Sequence, residues 1–164
     1  MCATGTPGTV TRTSCHGGPE LRSAAGGALT ARSYLEAGAV PASLPYIRRH
    51  TRRTLAAWEI GPAADDIELV TSELATNAIT ATLAMTPPGA LVALYLAMEA
   101  GRLSVLVWDC CPEQPVHRAQ AGADAESGRG LGIVQAVSER WGTVAFEGGK
   151  VVWAQLALTN KEAM

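Results

Sequence analysis

Between Gly61 and Pro87 the chain carries a stretch, Asp65 to Ala84 (DDIELVTSELATNAITATLA), that holds no glycine or proline and repeats apolar residues every three or four positions. The pattern predicts a helix with one buried face made by Ile67, Val70, Leu74, Ala78 and Ala81. Pro62 suits a first helical turn, and Asp65 and Asp66 set carboxylates near the positive end of the helix dipole. Glu73 and Asn77, four residues apart, stack on the flank of the buried face. A carboxylate beside a carboxamide at the edge of a core serves as a solvated flank or as one wall of a cleft, and the helix alone does not separate the two.

A helix with a buried face needs a second layer, and the rest of the chain supplies strands. Leu29 to Leu35 reads as a short strand, with Gly38 and Pro41 marking a loop. Ser43 is placed to cap a helix running to about residue 59, with Leu44, Ile47, Thr51, Leu55 and Trp58 on one face and Pro45 tolerated in its first turn. Arg48, Arg49, Arg52 and Arg53 occupy much of the other faces, as a solvated surface or a docking surface for an acidic partner; His50, among them, is given no catalytic role. After a turn at Pro87–Pro88–Gly89, Leu91 to Met98 and Leu103 to Trp108 form an antiparallel hairpin about Glu99–Ala100–Gly101–Arg102. Trp141 to Phe146 and Lys150 to Leu158 form a second, across Gly148–Gly149.

At 164 residues, 48% hydrophobic and 17% charged, the chain suits one ordinary globular domain with a core of its own. Residues 1–28, rich in Gly, Thr and Ser, read as a flexible leader ahead of a domain over 29–164. A formal net charge of -2 argues against direct nucleic-acid binding. No apolar run reaches membrane-spanning length and the N-terminus lacks signal-peptide order, so a cytoplasmic protein without a membrane partner is expected. Cys2, Cys15, Cys110 and Cys111 show no zinc-type spacing, and the adjacent pair is most simply read as reduced, small and apolar.

Two further features carry chemistry. Asp109 ends an otherwise apolar strand just before Cys110–Cys111–Pro112, which suggests a carboxylate aimed into a pocket. Gly128–Arg129–Gly130–Leu131–Gly132 follows a long polar loop. Its glycines would let backbone N–H groups approach an anion, with a helix over Leu131–Glu139 turning its positive end to the same anion. The spacing matches neither the dinucleotide fingerprint nor the P-loop.

An ExxxN helix, a strand-terminal Asp and a GxGLG helix start, in this order, resemble the ATP-binding domain of the GHKL superfamily of gyrase, histidine kinases and mismatch-repair ATPases. ELATNA, the WD followed by prolines, GRGLGIVQAVSERWG and the closing VVWAQL make the chain look like the small bacterial anti-sigma factor serine kinases over roughly Leu29 to Leu158. The resemblance implies an α/β two-layer sandwich whose mixed, largely antiparallel sheet is covered on one face by helices near 43–59, 65–84 and 130–139. It implies ATP and magnesium as ligands, with Asn77 on the metal, Glu73 as general base and Asp109 accepting from the adenine amino group. Gly128, Gly130 and Leu131 would contact phosphate through the backbone, with Arg129 as auxiliary charge and residues 113–127 as a lid. Val151 or Val152 would stand where that family commonly has a threonine near the adenine. The implied partners are a sigma factor, an anti-sigma antagonist as phosphoacceptor, and a second copy in a homodimer; the alternative is a nucleotide-binding module that sequesters its partner without phosphoryl transfer.

Overall fold

The computed structural model describes residues 29–85, 89–113 and 126–158. The expected leader, Cys2, Cys15 and most of the expected lid lie outside them. The elements run β1 (Leu29–Gly38), a short 3-10 turn (Pro41–Ser43), α1 (Leu44–Ala57), α2 (Ala64–Met85), β2 (Leu91–Glu99), β3 (Arg102–Asp109), α3 (Glu126–Val137), β4 (Arg140–Phe146) and β5 (Gly149–Ala157). The sheet order is β1-β2-β3-β5-β4, and each of these pairings is antiparallel.

Strand alternation sends Val92, Leu94 and Leu96 of β2, Leu103, Val105 and Val107 of β3, and Val152, Ala154 and Leu156 of β5 to one face, where all are buried. α2 lies on that face with Ile67, Val70, Leu74 and Ala78 pressed into the core. Each fully buried aliphatic side chain contributes about 1.5–3 kcal/mol, so this layer-on-layer contact holds the domain together. α2 buries more than one stripe, because α1 and α3 pack against it while β3 lies beneath. Thr71, Ser72, Ala75, Ile79 and Thr82 are therefore buried as well, while Ala81, expected in the core, is only half-buried.

Local chemistry accounts for three departures from expectation. Ser43 makes no side-chain cap, because the 3-10 turn runs straight into α1 and holds Ser43 in helical conformation (φ -78, ψ -20). Pro62 precedes α2 rather than opening it, in a turn where the Ala64 N–H donates to Gly61 O at 3.0 Å. The β4–β5 turn consists of Glu147 (φ 45) and Gly148 (φ 76), the left-handed pair that a tight hairpin needs. Gly149 already belongs to β5. A Cβ on it would lie 2.0 Å from the carbonyl oxygen of Asp109, so a side chain there would push the ends of β3 and β5 apart.

The other sheet face carries Tyr34, Tyr95, Leu106 and Trp108, which line a groove of about 240 Å³ with Glu36 and Glu147 at its margin. The rings of Tyr34 and Tyr95 pack at a tilt of 46°, with centroids 4.5 Å apart. Among the described residues no helix is long and apolar enough to cross a membrane.

Candidate functional site

Glu73 and Asn77 sit one turn apart on α2, both half-buried, where α3 crosses. The crossing is made at Gly130. A Cβ on that glycine would stand 2.6 Å from Glu73 Oε2 and 3.6 Å from Asn77 Nδ2. Only a residue without a side chain lets α3 sit directly against the carboxylate and carboxamide. Asn77 Nδ2 is buried with no hydrogen-bond partner among the described residues. An unpaired buried polar group costs about 1–3 kcal/mol, so a hydrogen-bond acceptor at this N–H group would be stabilising.

The glycine segment is arranged differently from its expected form. α3 opens at Glu126, so Gly128 and Arg129 lie in its first turn and Gly130 and Leu131 in its second, instead of forming a turn ahead of the helix. From the second turn onward, backbone N–H groups are used by the helix's own ladder. Of the expected amide donors, only Gly128 stands where a helix leaves its N–H free for an anion. Leu131 is buried in the core. Gly130 serves the site by its missing side chain. Of the lid expected over 113–127, residues 114–125 fall outside the described residues and 126–127 belong to α3.

The third element stands at the end of β3. Asp109 is on the helix-covered face and directly opposite Lys150 of β5. Lys150 Nζ donates to Asp109 Oδ1 at 2.7 Å and to Cys111 O at 2.9 Å, and the Cys111 N–H donates to the same Oδ1 at 2.9 Å. The two side chains are 4% and 1% exposed, so this is a buried ion pair. Asp109 Oδ2 is buried and has no partner among the described residues. Burial pushes the carboxyl upward, and the hydrogen bonds from Lys150 and Cys111 and the Lys150 charge oppose that shift.

Lys150 escaped the sequence reading, which looked for the strand residue near the adenine at Val151 or Val152. Counting back from the two-residue turn would have found it, since the register sets Lys150 across from Asp109. Val151 instead lines the groove on the opposite face, and Val152 lies in the core opposite Val107. That groove shares no residue with the site.

α2 links the two halves of the site. Thr82 receives a contact from Cys110 Sγ at 3.9 Å, beside Asp109. From Asn77 to Thr82 the helix rises about 7.5 Å, so one rigid element relates the Glu73–Asn77 end to the Asp109 end. Both adjacent cysteines are free thiols, Cys111 buried.

A protein-family model, the histidine kinase-like ATPase domain, matches residues 38–156. The chain belongs to this family. The match spans α1 through β5 and contains Glu73, Asn77, Asp109, Gly130 and Lys150. No curated protein matches the chain. The matched stretch thus holds both ends of the site, the Asp109 carboxylate at one and the Glu73–Asn77 pair against α3 at the other. Among the described residues no three His, Cys, Asp or Glu side chains cluster to hold a metal. The oxygen of Asn77 suits magnesium, which takes few protein ligands and completes its shell with phosphate and water. The Asn77 oxygen is the atom that would hold such an ion, while its Nδ2, buried and without a partner among the described residues, is a donor that fits a phosphate oxygen.

Gly130→Ala tests the crossing. Alanine favours helix over glycine by about 1 kcal/mol, so the helix itself gains. The new methyl displaces the Glu73 carboxylate, the free end of a side chain, and leaves the backbone in place. The expected result is an unchanged or slightly raised melting temperature with a fall of about tenfold or more in ATP turnover. Wild-type turnover in Gly130→Ala would show that the Glu73 position has no bearing on the chemistry.

Proposed function

We propose that this histidine kinase-like ATPase domain is an ATP-dependent protein serine/threonine kinase that phosphorylates an anti-sigma antagonist and also binds a sigma factor. The observation that carries the reading is the seating of Glu73 and Asn77 against Gly130, with the buried Asn77 Nδ2 left without a partner among the described residues. In this reading Asp109 Oδ2 accepts from the adenine amino group, and guanine, with a carbonyl at that position, is refused. Asn77 would hold a magnesium ion through its amide oxygen, and that ion would neutralise charge on the phosphates. The Gly128 N–H at the start of α3 holds a phosphate oxygen. Glu73 takes the proton of an incoming serine or threonine hydroxyl as its oxygen bonds the terminal phosphorus and the bond to the departing ADP oxygen breaks.

The sigma factor and the antagonist come from the resemblance to anti-sigma factor kinases, supported by the exposed arginines of α1 as a surface for an acidic partner. Arg48 bonds Ser72 and Arg52 pairs with Glu68, while Arg49 and Arg53 are exposed. The test joins binding to transfer. ATP at about 100 times its Kd should stabilise the chain by about 2.7 kcal/mol, and GTP at the same concentration should not. Incubation with ATP, magnesium and a candidate antagonist should leave phosphate on a serine or threonine of that partner. Nucleotide-dependent partner binding with no transfer would replace the kinase with a sequestering module.

A further inference from the structure

We infer that Lys150 sets the nucleobase selectivity of this site by holding Asp109 as a carboxylate that can only accept a hydrogen bond. The inference rests on the proposed reading of Asp109 as the adenine contact. It adds a residue to which neither the motifs nor the family match gives a role.

The geometry supplies the argument. Asp109 Oδ1 is filled from two sides, by the Lys150 ammonium and the Cys111 N–H, which fixes the carboxylate plane. Oδ2 is left over, buried and without a partner among the described residues. An ionised carboxylate has acceptor sites alone, so Oδ2 can take an N–H from an exocyclic amino group and offers nothing to a carbonyl. A protonated carboxyl would have a donor as well and would bond a base bearing an oxo group in the amino position. Which of the two Asp109 is depends on Lys150, because burial by itself drives this carboxyl toward its neutral form.

No other charge acts on the carboxylate strongly enough to matter among the described residues. Lys150 from β5 is the one that counts, Cys110 and Cys111 follow in the chain as thiols, and α2 brings the neutral Thr82 hydroxyl against Cys110. A lysine that merely blocked the pocket would have taken both oxygens or stood on Oδ2. Instead it occupies the oxygen turned to the backbone of Cys111, and its second hydrogen bond to Cys111 O ties the loop after β3 to β5.

The experiment compares ATP with inosine triphosphate, which has an oxo group in place of the amino group, by calorimetric titration between pH 6 and about 8.5. The wild-type chain should prefer ATP by a ratio that hardly changes with pH. Lys150→Met, similar in length and uncharged, should bind ATP about tenfold or more weakly at pH 7, the scale of a hydrogen bond to a charged group. Its ATP preference should collapse or reverse at the acid end and return as pH rises and Asp109 loses its proton. Lys150→Arg, which keeps the charge, should keep the preference. Should Lys150→Met fail to fold, the neutral pair Asp109→Asn with Lys150→Met serves. An asparagine offers both a donor and an acceptor, so that variant should discriminate little at any pH.

A wild-type ratio that stays flat with pH in Lys150→Met, or full discrimination in the double variant, would reduce Lys150 to a structural residue. Tighter ATP binding by Lys150→Met would make it a competitor for Asp109, the opposite of the role inferred. Failure of the unmutated chain to bind ATP would overturn the nucleotide reading itself and this inference with it, a result distinct from those two.

Discussion

Asp109→Ala is expected to lower the free energy of unfolding by about 3–5 kcal/mol, because it strands the partner of a buried ion pair. Lys150 would be left buried with its principal acceptor gone, and the Cys111 N–H would lose its acceptor as well. Neither can turn to water without opening the end of the sheet, where Gly149 packs beneath the Asp109 carbonyl. Replacing both members together, Asp109→Ala with Lys150→Met, removes the stranded charge and should recover most of the loss, since apolar replacement of a whole buried pair is often neutral. Urea unfolding of the two single variants and the double variant, read as midpoints at constant m, gives the coupling between them. Additive losses with no recovery in the double variant would mean that the pair contributes nothing as a pair.

Glu73→Gln carries the second large effect. Glutamine keeps the length and shape of the side chain, so it fits against Gly130 as glutamate does, but it cannot take a proton. Under the proposed kinase reading, ATP affinity and stability should remain close to wild type, while single-turnover phosphate transfer to the cognate acceptor slows by about 10² to 10⁴. The helix-flank alternative predicts a stability change of about 0.5 kcal/mol or less and no change in transfer. A wild-type rate in Glu73→Gln at saturating ATP and magnesium would remove the general base from the mechanism.

The repeating pattern that made α2 legible also made Glu73 and Asn77 visible, because a helix in this register sets residues four apart on one flank whatever packs around it. The hairpins were legible for a similar local reason, glycines at turns between apolar runs. What packs across elements was not. Ala81 and Thr82 exchanged places in the core because α2 is squeezed from three sides, and a single-face pattern contains no term for the neighbours. The start of α3 was missed because glycines disfavour helix, and the contact that makes Gly130 worthwhile is with a side chain more than fifty residues earlier in the chain. Lys150 was hidden most completely. A lone lysine beginning an apolar strand looks like a solvated end, and only strand register turns it toward Asp109. That also changes what Asp109 means: read alone, its loss would cost only a ligand, whereas in the fold it costs a buried charge its partner.

The register of β5 has a consequence of its own. Successive residues of a strand point to opposite faces, so the residue that meets Asp109 is decided by whether an odd or an even number of residues separates it from the Glu147–Gly148 turn. Slipping β5 by one position would carry the ammonium to the aromatic face and bring Gly149 or Val151 opposite the carboxylate. It would break the buried ion pair without altering a single amino acid. Parity in a short hairpin thus protects this ion pair, and lengthening or shortening that hairpin by one residue is a more radical edit than most substitutions around it.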